Sequence, residues 1–162
     1  MRELIPLSVR VLSRGFYSDA QIESAIRHIF GPDTQLIADR TYFVAAVRGV
    51  LVGCGGWGRR RTLFGGDQMK TAEDPLLDPK AEPARVRAFF VHPDWARRGI
   101  GGAILEACAN AARDAGFGRV ELVATLPGEP LYRTFGFDVL ERFEAAMPDG
   151  RTLPVVRMIR TL

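Results

Sequence analysis

The stretch "HPDWARRGIGGAIL", His92 to Leu105, sets Arg97 and Arg98 against Gly99, Gly101 and Gly102, just ahead of an apolar run. The first turn of a helix carries N–H groups without intrahelical partners, together equivalent to roughly half a positive charge. Glycine lets a ligand approach that backbone closely. This helix start can therefore cradle a diphosphate, with the two arginines adding charge. The plain alternative is a helix that begins after a proline turn. The stretch is not a Walker loop, because GxxxxGK[ST] is absent, and "GIGGAI" lacks the third glycine of a dinucleotide fingerprint.

Other reactive side chains are sparse. Cys54 and Cys108 are the only cysteines and form no CxxC pair, so neither a metal site nor a disulfide framework is expected. Reduced thiols in a cytoplasmic protein are the simplest reading. Cys108 falls on an apolar helix face and reads as an inert packing residue. Cys54 precedes Gly55-Gly56, where another backbone or a ligand can pass closely. With two histidines and no pairing signal, an acyl-cysteine mechanism is not indicated. His92, ahead of Pro93, reads as a turn residue rather than a base. The arginines of "GRRRTLFGGDQ" suit a solvated face, or contacts to phosphates or an anionic substrate, better than a nucleic-acid patch.

Elements must position these residues. The chain has 162 residues, which fits one domain, and 47% of it is hydrophobic, enough for a sizeable core. A net charge of +3 favours anionic ligands and does not argue for nucleic acid. No apolar run is long enough for a membrane span, and "MRELIPLSVRVL" lacks the core and cleavage site of a signal peptide. Loose alternation predicts a strand over residues 4–12. "SDAQIESAIRHIFG" predicts a helix capped by Ser18. "TYFVAAVRGVLVGCGGWG" predicts two strands about a turn at Arg48-Gly49. Residues 59–84 predict a long loop, and loops of that length are often functional. Then follow a strand ending at Pro93, a helix from about Arg98 to Ala115, the strand "RVELVAT", a short helix in "GEPLYRTFG", and two strands about Asp149-Gly150.

The segment "RAFFVHPDWARRGIGGAILEACANAARDAGFGRVELVAT", followed by "EPLYRTFGFDVLE", resembles the GNAT-family N-acetyltransferases. The resemblance covers about residues 85–141, and the preceding helix and strand pair follow the family's order. It implies an α/β fold: a mixed, mostly antiparallel sheet with a central splayed parallel pair, flanked by helices. It implies acetyl-CoA as co-substrate, with pantetheine on the backbone of Phe90 and Val91. The pyrophosphate would lie on the turn formed by Arg97, Arg98, Gly99, Ile100, Gly101 and Gly102. Where the family usually has Gln or Arg, three residues before the first glycine, this chain has Ala96, so the backbone is expected to do most of the phosphate binding. Tyr132 matches the aromatic that in many members protonates the leaving thiolate. Its plain alternative is packing ahead of Phe135 and Phe137.

The implied reaction moves acetyl from acetyl-CoA to a primary amine, by direct attack in a ternary complex. A lysine-like amine with a pKa near ~10.4 is neutral at pH 7 in only about one molecule in a few thousand. A base would help, and Glu73, Asp74 and Asp78 on the long loop are candidates. That loop is a candidate lid over the acceptor, with Trp57 and Phe64 as candidate pocket walls. The acceptor would be a small-molecule or peptide amine. The alternatives are a non-catalytic acyl-CoA-binding module, and acetylation of a macromolecular amine such as a protein N-terminus, a lysine or an aminoacyl-tRNA. Members of the family often form homodimers.

Overall fold

In this computed structural model, which describes residues 1–70 and 74–162, the predicted Ser18 cap is present. The Ser18 hydroxyl accepts the Gln21 N–H at 3.2 Å, and the Gln21 side chain accepts the Ser18 N–H at 3.1 Å. This reciprocal pair starts helix α2, Asp19–His28. Residues 4–12 differ from expectation. They form helix α1, Leu4–Leu12, and not a strand. Leu4, Ile5, Ser8 and Val9 are its buried positions, a helical stripe, and Pro6 sits in the first turn, where its missing N–H costs nothing. A further short helix, α3, spans Thr34–Ala38, and the Asp33 carboxylate caps it by accepting the Leu36 N–H at 3.1 Å.

The remaining α-helices and strands are β1 (Tyr42–Val47), β2 (Val50–Gly58), β3 (Ala84–Val91), α4 (Ile100–Asp114), β4 (Arg119–Thr125), α5 (Glu129–Thr134), β5 (Asp138–Ala146) and β6 (Thr152–Thr161). The six strands form one sheet in the order β1-β2-β3-β4-β6-β5. As expected, the sheet is mostly antiparallel with one parallel pair, β3–β4, at its centre. That pair is joined only at Ala84↔Val120 and Arg85↔Glu121. Beyond Arg85 the two strands part and leave a fork. One core packs α4 on the sheet through Leu105, Cys108, Val120 and Leu122, and the other packs α1 and α2 on the opposite face through Ile5, Ile22, Leu153 and Val155.

Two buried ion clusters flank the fork. Glu121, 1% exposed, pairs with Arg85 and Arg157 where the parallel pairing stops. Asp33, wholly buried, pairs with Arg87 at 3.0 Å and with Lys70. The second cluster ties down the described part of the 59–84 segment. Arg87 also donates to the Thr62 carbonyl at 2.9 Å, Gly66 N–H donates to the Ile29 carbonyl at 2.8 Å, and Leu77 is buried. Acting as a lid, this segment would have to break these ties. Among the described residues no helix is long and apolar enough to cross a membrane.

Candidate active site

A cavity of about 960 Å³ follows the fork from one face of the sheet to the other. At one end lies the start of α4. The His92 side chain accepts the Asp94 N–H at 3.2 Å, which makes His92 a turn residue, as read. Arg97 and Gly99 both adopt left-handed φ angles, +64° and +83°, and reverse the chain into the helix. The first N–H groups of α4 then have no intrahelical acceptor. Arg97, Gly99, Gly101 and Gly102 line the cavity. The guanidinium of Arg98 instead stacks over the Trp95 ring at 5.1 Å, and the side chain of Ile100 packs on Gly53 of β2. Gly102 has a second reason to be glycine: a Cβ there would overlap the Phe135 ring, so its bareness seats α5 against α4.

β3 forms one wall. The His92 N–H donates to the Val52 carbonyl at 2.8 Å. Antiparallel alternation then turns the backbone groups of Phe90 toward β2 and those of Val91 toward the fork. Phe90 faces the cavity with its ring, edge-on to Phe30 at 6.0 Å between centroids. The strand kinks at Ala88, whose φ is +55°, where the β2–β3 register shifts. The Tyr42 hydroxyl donates to the Ala88 carbonyl at 3.0 Å. Burial raises the Tyr42 phenol pKa, with the Cys54 thiol adding to the shift, so it stays a donor. A trans peptide points its N–H opposite to its carbonyl, so the Phe89 N–H lies on the fork side. Tyr42 reaches across β2 because residue 56 is glycine: a Cβ there would stand 2.8 Å from the Tyr42 ring. The Phe89 ring covers Gly55 on the other face. The two glycines after Cys54 thus admit two rings.

Tyr132, on α5, is 8% exposed and lines the cavity. Its ring meets Phe89 and Phe137 edge-on, at 6.1 and 5.8 Å. Burial raises its phenol above the ordinary value, so it is protonated at neutral pH. The candidate bases lie elsewhere. Asp74 accepts the Thr62 N–H at 2.8 Å, Asp78 accepts the Lys80 N–H at 2.9 Å, and neither lines the cavity. Glu73 lies outside the described residues. Phe64 does line the cavity, whereas Trp57 is buried in the α4-side core, edge-on to Phe117. The wall supplied by α1, and the Tyr42–Ala88 bond, had no local sequence signal.

Residues 38–139, more than half of the chain, match the family described as the acetyltransferase (GNAT) domain. The chain belongs to the GNAT acetyltransferase family. No curated protein matches it. Among solved structures, a GCN5-related N-acetyltransferase from Rhodopseudomonas palustris is similar over 99% of this chain and 87% of its own, with a TM-score of 0.71 at 20% identity. PaiA N-acetyltransferase from Thermoplasma acidophilum, in complex with coenzyme A, is similar over 99% and 90%, with a TM-score of 0.65 at 15% identity. A ribosomal-protein-alanine N-acetyltransferase from Brucella melitensis gives 99% and 93%, with a TM-score of 0.60 at 14% identity. At these identities the likeness is one of fold. In this GNAT chain the match runs from the end of α3 to the start of β5, and so includes β3, α4 and Tyr132.

Proposed function

We propose that this protein transfers acetyl from acetyl-CoA to a primary amine by direct attack in a ternary complex. The observation that carries the reading is the fork, with the free N–H groups of α4 at one end and a protonated, buried phenol along its wall. Acetyl-CoA supplies a thioester open to attack by an amine. Its diphosphate suits the α4 turn, where Arg97 adds charge and Gly99, Gly101 and Gly102 present no side chains. Arg98 and Ile100 would contribute backbone there rather than side chains. Val91, with its backbone turned to the fork, is suited to pantetheine. Phe90 would act through its ring, because its own backbone faces β2.

The acceptor nitrogen forms a bond to the thioester carbon, and the carbonyl oxygen takes up negative charge. The Phe89 N–H, on the fork side of the kink, is placed to receive that charge. As the C–S bond breaks, Tyr132 gives its proton to the departing sulfur and regains one from solvent. The acceptor's ammonium proton passes to solvent. Neutralising a lysine-like amine at pH 7 costs roughly 4–5 kcal/mol.

The test is Tyr132→Phe, read by thiol release. The rate should fall by on the order of 10²-fold with acetyl-CoA affinity nearly intact. An unchanged turnover would remove Tyr132 from the mechanism. If acetyl-CoA failed to raise the melting temperature of the wild type, the acetyl-CoA reading itself would fall.

A further inference from the structure

The part of the cavity on the α1–α2 face of the sheet has its own composition. Leu12 and Phe16 at the end of α1, Phe30 beyond α2, Phe64 and Val155 form its walls. The rings already meet others edge-on or tilted: Phe30 with Phe90, and Phe64 with Phe143, both at 6.0 Å. Two hydroxyls interrupt this surface. Ser8 and Ser13 are each 4% exposed, line the cavity, and pair with no other described side chain or carbonyl. Among the described lining residues the carboxylate is Glu106, on α4, and it is engaged by Arg160 at 2.7 Å.

Such walls select by charge as well as by shape. Among the described walls no free carboxylate meets an ammonium, so taking one out of water there costs more than an aromatic face returns, and every further ammonium that is buried repeats the penalty. An apolar ring gains by leaving water and by edge contacts with Phe30 and Phe64. Resting on the acetyl-transfer reading above, we propose that the acceptor is a monoamine carrying an apolar, ring-sized body, and not a polycation. Its ring lies among Phe16, Phe30 and Phe64, and the Ser8 and Ser13 hydroxyls accept hydrogen bonds from its amine or from a polar group on its linker.

The experiment measures thiol release at saturating acetyl-CoA with 2-phenylethylamine, propylamine and spermidine. Burial of the ring should raise kcat/KM for 2-phenylethylamine over propylamine by roughly 10- to 100-fold, with spermidine no better than propylamine. Phe16→Asp adds a carboxylate at a rim position that is 52% exposed, where a substitution is expected to cost little stability. This variant should lose activity toward 2-phenylethylamine and gain it toward spermidine. Spermidine or propylamine matching 2-phenylethylamine in the wild type would overturn the proposal and leave acetyl transfer standing. Hexanoyl-CoA outpacing acetyl-CoA with propylamine would also overturn it, by assigning the apolar wall to the donor's acyl chain. No thiol release with any amine, alongside a melting temperature raised by acetyl-CoA, would instead overturn the acetyl-transfer reading on which it rests.

Discussion

Removing one hydroxyl asks whether the kinked peptide of β3 takes part in the reaction. Tyr42→Phe keeps the ring over Gly56 and deletes the 3.0 Å bond to the Ala88 carbonyl. A bond of this kind contributes about 1 kcal/mol net, which in a chain of this size corresponds to a melting shift of roughly 2–4 °C. Its effect on rate has a different origin. Deleting an oxyanion donor outright costs on the order of 10²–10³ in kcat. Here the Phe89 N–H remains, but the left-handed Ala88 that aims it loses its brace. A loss of about 10-fold in kcat is expected, near 1.4 kcal/mol of transition-state stabilisation. The KM for acetyl-CoA should stay within about twofold, because in the proposed complex the diphosphate end rests on α4, away from this bond. Steady-state thiol release gives both constants, and a melting curve gives the stability change. Gly56→Ala should reproduce the kcat loss by another route, since the new Cβ would stand 2.8 Å from the Tyr42 ring. It should also melt lower, because that Cβ crowds Leu36 and the Thr41 carbonyl as well. A normal kcat in Tyr42→Phe, with the melting temperature lowered as stated, would show that the bond only supports the fold.

Three further predictions concern the framework. Asp33→Ala strips Arg87 of its buried partner and α3 of its cap, so stability should fall by about 3–5 kcal/mol in chemical denaturation; a loss under about 1 kcal/mol would mean that water already screens the pair. Burial pushes the Tyr17 phenol up to about 12, against about 10 in the unfolded chain. The folded state therefore keeps a proton that the unfolded state has lost, so this contribution is full below pH ~10 and declines toward pH ~12 by about 3 kcal/mol. Tyr17→Phe should flatten that part of the stability–pH curve, and a wild-type stability that rises over the same range would contradict the reasoning. Gly102→Ala forces its Cβ against Phe135, so it should cost about 1–3 kcal/mol and lower kcat by displacing α5 with Tyr132; an unaltered kcat would separate that packing from the chemistry.

What the sequence revealed was local. The Ser18–Gln21 box, the glycine turn into α4 and the strand pair about Arg48-Gly49 each lie within a few residues, and each is found. Residues 4–12 misled because Ile5, Leu7, Val9 and Val11 alternate like a strand, while Leu4, Ile5 and Val9 also share a helix face with Ser8. Tertiary packing chose the helix and left Leu7 40% exposed. Asp33 is wholly buried, because Arg87 and Lys70 reach it from distant parts of the chain, a pairing that carries no local signal. Gly55-Gly56 signalled a close approach. Naming the rings that fill it requires the registers Tyr42↔Gly56 and Gly56↔Arg87, which no single segment contains.

These distant contacts converge on β3, and there is a physical reason for that. A strand inside a sheet is normally located by ladders on both edges. β3 gives up one ladder beyond Arg85 to open the fork. Arg85 and Arg87 point to the same face by the two-residue period of a strand, and each ends on a buried carboxylate, Glu121 and Asp33. Buried ion pairs are weak sources of stability, because desolvation offsets most of the attraction. What they do supply is direction, since a guanidinium displaced from its carboxylate leaves two buried charges unpaired. The next residue after this second anchor is Ala88, held by Tyr42, and the next is Phe89, whose N–H is placed on the fork side. Catalytic donors must hold position to within about 0.5 Å. On the fork side of β3 no backbone ladder provides that precision, so in the proposed mechanism two arginines and a phenol take over its role.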